Sequence, residues 1–95
     1  MIAHSNMLER LDEMLALIDH CLPGGDAELV CEHVQQARTY WLGAMPVECR
    51  LNLDLAREPL GRMPETESRR AAQEILEDIL RDDAEKSHSS AFEIR

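Results

Sequence analysis

The sequence predicts a small all-α domain of three to four helices, and three observations carry that prediction. Apolar residues recur at spacings of three and four along separate stretches, as one stripe of a helix requires. Proline and glycine fall mainly between those stretches, where they end helices. The chain has 95 residues, enough for one domain and too few for two ordinary ones. The expected organisation is a helical domain over 1–83, built on an N-terminal antiparallel hairpin, followed by a flexible polar tail over 84–95.

The first helix is expected from about Asn6 to Leu22. Leu8, Leu11, Leu15, Ile18 and Leu22 form its stripe. Met7, Met14 and Cys21, seven apart, widen it. Ser5 or Asn6 is suited to cap the start, and Pro23-Gly24-Gly25 stops the helix. The second helix is expected to open on Asp26 as N-cap. Val30, Val34, Ala37, Trp41 and Ala44 line one side, and the helix must end before Pro46. The short turn between the two makes them an antiparallel hairpin.

Val47 to Leu55 alternates apolar and polar residues without a break, which is a strand signal. The residue types favour helix, since Val47 is the one β-branched residue there and no aromatic is present. A lone strand in a helical chain would also lack a partner. Helix is therefore preferred and strand is the alternative. As a helix the segment is apolar on two sides: Val47, Leu51 and Leu55 on one, Cys49, Leu53, Ala56 and Leu60 on the other. Arg57 to Met63, with Pro59 and Gly61, reads as a connection. Pro64 suits the first position of the last helix, which shows Ala71, Ala72, Ile75, Leu76, Ile79 and Leu80 on one stripe and ends near Asp83.

The chain carries 19 acids against 10 bases, a net charge of −9. That excludes a nucleic-acid binder, which needs clustered Lys and Arg, and argues against docking on an anionic membrane. No apolar run is long enough to span a bilayer, and no signal peptide is expected. Three cysteines make no disulfide framework, so reduced thiols in a cytoplasmic protein are expected. His20, Cys21, Cys31 and His33 come near one another at the hairpin turn, but their spacing makes the side chains of each pair diverge, and no CxxC or HxxxH motif is present. No cofactor fingerprint or nucleophile signature appears. A bundle this small offers little concavity for a pocket of ~300 Å³ or more. Neither enzymatic activity, nor a metal, nor a cofactor is expected.

What remains is protein binding. Tyr40 and Trp41 are two of the three aromatics. Trp41 continues the apolar stripe and is expected to plug the hairpin core, while Tyr40 sits at the edge, with Arg38 as a rim contact. The apolar positions Met7, Met14, Leu17, Leu42, Leu53 and Leu60 exceed what a hairpin plus one helix can cover, which points to a C2 homodimer. The expected interface residues are Tyr40, Trp41, Leu42, Val47, Leu51, Leu53, Leu55 and Leu60. In size, charge and helicity the chain resembles small bacterial antiactivators, which hold a transcription factor inactive by covering its dimerisation or DNA-binding surface. No motif carries the resemblance, so it transfers no residue roles. The alternatives are an acidic immunity or antitoxin protein that neutralises a basic enzyme, and a secretion-type chaperone. Residues 1–45 carry seven acids and two bases, whereas 46–95 carry twelve and eight. The second half, more mixed in charge, is thus the expected binding half.

Overall fold

The computed structural model describes the backbone of residues 6–21 and 23–94 and the side chains of residues 7–21 and 23–81. It contains four helices: α1 (Asn6–Asp19), α2 (Gly25–Leu42), α3 (Pro46–Arg62) and α4 (Glu67–Ile94). Among the described residues there is no strand, so 47–55 is helical and the alternation there marks a helix with two apolar faces. Each helix packs on two neighbours in a closed ring, α1 on α2 and α4, α3 on α2 and α4. Short turns join consecutive helices, so neighbours run antiparallel.

Residues three and four apart fill the centre of the ring. They are Leu11, Met14 and Ile18 of α1, Ala27, Val30, Val34 and Ala37 of α2, Cys49, Leu53, Ala56 and Leu60 of α3, and Ala72, Leu76, Ile79 and Leu80 of α4. The α2–α3 contact is the most extensive. Buried Ala27, Ala37, Cys49 and Ala56 belong to these two helices, and side chains that small let helix axes approach closely. Met14, Leu53 and Leu60, expected to be left over for a dimer, are fully buried in the monomer. The fourth helix closes the ring and covers what a hairpin plus one helix could not.

Exposed ion pairs among the described residues link successive helices, including Arg38–Asp12 at 2.8 Å, Arg62–Asp26 at 2.9 Å and Arg57–Glu77 at 3.1 Å. Such pairs add little stability, about 0–1 kcal/mol each, but they are consistent with one antiparallel register at each junction. Asp26 is thereby not a cap. Gly24 takes the N-cap position of α2 with no side-chain hydrogen bond, and the Asp26 carboxylate accepts from Arg62.

The α2–α3 turn is built from a short set of backbone bonds. Met45 N–H donates to Tyr40 O at 2.8 Å and Ala44 N–H donates to Trp41 O at 3.1 Å, the double closure that places the intervening residue in the left-handed region. That residue is Ala44, with φ 61°, whereas glycine is the usual occupant. Gly43 sits one position too early to relieve it, at φ −87°. Pro46 then opens α3 at a position that needs no N–H.

α3 runs further than its sequence suggests. Pro59 lies inside the helix and is buried, and Gly61 is helical too. Proline removes one ladder hydrogen bond, but burial of Pro59 and Leu60 against the core holds the last turn in place. Arg69 completes that end, its Nε donating to Leu60 O at 3.1 Å and its Nη2 to Gly61 O at 2.8 Å. Gly61 O is a carbonyl of the kind that a helix C-terminus leaves without a partner, and Leu60 O also accepts from Met63 N–H at 3.2 Å. Thr66, not Pro64, starts α4, with its Oγ1 accepting from Arg69 N–H at 3.2 Å. The α4 backbone continues to Ile94 rather than ending near Asp83, because no Gly or Pro follows Pro64 and Ala84, Glu85 and Lys86 are good helix formers. The side chains from residue 82 on lie outside the described residues, so of the expected flexible tail over 84–95 only the backbone to Ile94 is described. Ser5, Leu22 and the Asn6 side chain lie outside them as well.

The strained turn generates a stability prediction. Ala44→Gly should raise the unfolding free energy by ~0.5–1 kcal/mol in urea denaturation, since it relieves positive φ at a small entropic cost. An unchanged or lower value would mean that Ala44 is not left-handed in solution.

Candidate interaction surface

A helix advances about 100° per residue, so side chains two apart point in nearly opposite directions. In α3 this sets Val47, Leu51 and Leu55 against Cys49 and Leu53. The second set is sealed in the core at 0–1% exposure, while Val47, Leu51 and Leu55 are 65%, 54% and 58% exposed. They follow one another every four residues and form a single apolar ridge on the outside of the ring. Met45, in the turn just before α3, is 42% exposed, and Leu42 at the end of α2 is 59% exposed on the flank of α2 that carries Arg38. Scattered apolar residues on a surface are ordinary. An aligned row of them in a small protein is the kind of feature that marks an interaction site.

Polar groups border the ridge. Arg50 and Asp54 lie on one flank, Glu48 and Asn52 on the other. Asp54 accepts from Arg57 Nη1 at 3.4 Å, and Asn52 Nδ2 donates to Glu48 O at 3.0 Å. α3 carries three acids, Glu48, Asp54 and Glu58, and three bases, Arg50, Arg57 and Arg62, so the helix is neutral within a chain of −9.

The structure divides the eight expected interface residues. Leu42, Val47, Leu51 and Leu55 are exposed and Tyr40 and Trp41 are half-buried. Leu53 and Leu60 are wholly buried and cannot meet a partner in the folded chain, because they belong to the inward face of α3. Trp41 packs against the core cluster without entering it, since it lies at the last turn of α2, where the ring ends. Arg38 points to Asp12 on α1, around α2 from the α3 side, and is not a rim contact of this face. Met45 was missed because a residue before a helix-starting proline shows no periodicity. Leu29, 41% exposed on α2, was hidden among the acids of its turn.

Among the described residues two concavities are shallow and open to solvent. One of about 410 Å³ at the α1–α2 turn is lined by residues including Ile18, Asp19, Cys21, Ala27 and Cys31. Another of about 490 Å³ is formed by charged and polar residues of α4, among them Arg70, Glu77 and Arg81. Cys21 and Cys31 share the first cleft, but His33 lies two residues from Cys31 and faces elsewhere, with its enclosed Nδ1 lacking a hydrogen-bond partner. Among the described residues no three His, Cys, Asp or Glu side chains are placed to hold a metal ion. Burial pushes the Cys31 thiol above its ordinary pKa, and Asp19 and Cys21 push it the same way. No helix among the described residues is long and apolar enough to cross a membrane.

The chain matches no protein-family model, and neither a similar curated protein nor a similar solved structure was found. The surface itself is therefore what a functional reading must rest on.

The thiol shift has a definite sign. A pKa raised on folding means that the unfolded state ionises first, so stability is intact below the ordinary thiol pKa and is lost as pH rises through the folded value. Unfolding free energy should accordingly fall in alkaline solution, and Cys31→Ala should flatten that fall. An identical alkaline slope in the variant would show that Cys31 is not responsible.

Proposed function

We propose that this protein works by binding another protein through the outer face of α3, and that it regulates its partner without catalysing a reaction. The observation that supports this is the exposed ridge of Val47, Leu51 and Leu55 on α3. Each side chain removed from water on binding contributes up to ~1.5–3 kcal/mol if fully buried. Side chains already about half covered contribute less, so the three ridge residues act together as the apolar centre of the face. Tyr40 and Trp41, half-buried next to Leu42, are the aromatic edge of the same region.

The regulated protein is proposed to be a bacterial transcription factor whose dimerisation or DNA-binding surface is covered, as in the antiactivators that the chain resembles in size and charge. The setting proposed is the cytoplasm, with the protein a homodimer when no partner is present. A second reading, an immunity or antitoxin protein that neutralises a basic enzyme, draws on the acids of α1 and α2. Those helices carry seven acids against two bases. The two readings use different faces and differ in salt dependence.

Affinity capture from the native host distinguishes them. Capture through the α3 face should survive high salt and be lost in Leu51→Glu, a change at an exposed site that leaves the fold intact. Capture that vanishes at high salt but survives Leu51→Glu would favour the acidic-face reading. Retention of no protein under either condition would sink both.

A further inference from the structure

We propose that a second copy of this chain covers the α3 ridge, with the two α3 helices crossing antiparallel about a two-fold axis at Leu51. The inference shares one premise with the reading above, that the outer face of α3 is an interface, and it adds what occupies that face.

Charge is the first reason. Two chains of −9 repel each other over most of their surface. They can approach where that charge is absent, and α3 carries three acids and three bases. A basic partner would be drawn instead to α1, which carries four acids and one base.

Self-complementarity is the second. Val47 and Leu55 stand four residues on either side of Leu51. A two-fold axis beside Leu51 therefore sets Val47 of one copy opposite Leu55 of the other, with the two Leu51 side chains in contact at the centre. A row of residues four apart packs between the rows of an identical helix at a crossing of about −50°, the commonest arrangement of packed helices.

The flanking charges follow the same symmetry. Asp54 lies about 60° and Arg50 about 100° around the helix from Leu51, both on the same side. An antiparallel two-fold brings that side of one helix against the same side of the other, with the direction along the axis reversed. At about 1.5 Å per residue, Arg50 of one copy then stands within about 3 Å, along the axis, of Asp54 in the other. The contact occurs twice. Both residues are exposed. The two-fold also brings the two Arg50 side chains within about 3 Å of each other along the helix axis, so each Asp54, which accepts from Arg57 in its own chain, offsets a like-charge contact at the centre of this flank.

Two reciprocal charge variants of the full chain test the register. Asp54→Arg sets arginine against Arg50 of the second copy, and Arg50→Asp sets two acids together. In sedimentation equilibrium the parent should be dimeric at micromolar concentration. Each variant alone should self-associate at least about tenfold more weakly. Mixed together, the two should form a one-to-one heterodimer of at least parental affinity, because every facing pair is then opposite in sign, the central pair at position 50 included. That recovery would also show that both variants fold. Leu51→Arg should be monomeric and should not be rescued by either of them. A parent that stays monomeric, variants that dimerise as the parent does, or a mixture that fails to pair would each overturn the proposal. If the parent is monomeric and Leu51→Glu still abolishes capture of a host protein, the two-fold dimer falls and the binding reading stands. A dimer that captures nothing leaves the reverse.

Discussion

Side chains two residues apart on an α-helix cannot both face inward, and α3 carries leucines at just that separation. Once Cys49, Leu53, Ala56 and Leu60 are drawn into the ring, Val47, Leu51 and Leu55 are forced outward. The chain has no fifth helix in the described region to cover them. Its fold therefore creates its exposed apolar face as a consequence of closing its core. The turn before α3 reinforces this. The left-handed Ala44 and the helix-starting Pro46 fix where α3 begins, and the starting point sets the rotation of every residue after it.

Charge is distributed to suit that division. The acids of α1, α2 and α4 keep a small protein dispersed, and the arginines link the helices in pairs on the outside of the bundle. Arg69 does something different. It reaches from α4 to two backbone carbonyls at the end of α3 and so ties down the last turn of a helix containing Pro59 and Gly61. α3 itself is neutral, which lowers the electrostatic resistance to a second acidic body at that face. The face combines apolar side chains with a balanced rim, as expected of a surface that is alternately exposed and covered.

Much of this was legible in the sequence, and the exceptions have physical causes. The α1 and α2 stripes, the hairpin and the two apolar sides of 47–55 followed from spacing alone. The sequence did not reveal which side of α3 would face inward. That depends on α4 closing the ring, a long-range contact with no local signature, and so Leu53 and Leu60 were grouped with Leu51 and Leu55. Pro59 and Gly61 were read as breaking the helix because their local cost is large, while burial and Arg69 supplied the compensation from elsewhere. Asp26 has the chemistry of a cap, yet Arg62 across the bundle takes its carboxylate. In each case a tertiary partner outweighed a local preference.

The account's central claim is that one side of α3 holds the fold and the other is free to bind. Urea unfolding of Leu51→Glu beside Leu53→Glu, at a protein concentration low enough that association adds nothing, tests it most directly. Leu51→Glu should unfold within about 0.5 kcal/mol of the parent, as an exposed substitution does. Leu53→Glu, which puts a carboxylate into the core, should lose several kcal/mol or fail to fold. Comparable destabilisation by both, or a tolerated Leu53→Glu, would contradict the division of α3 on which the proposed interface rests.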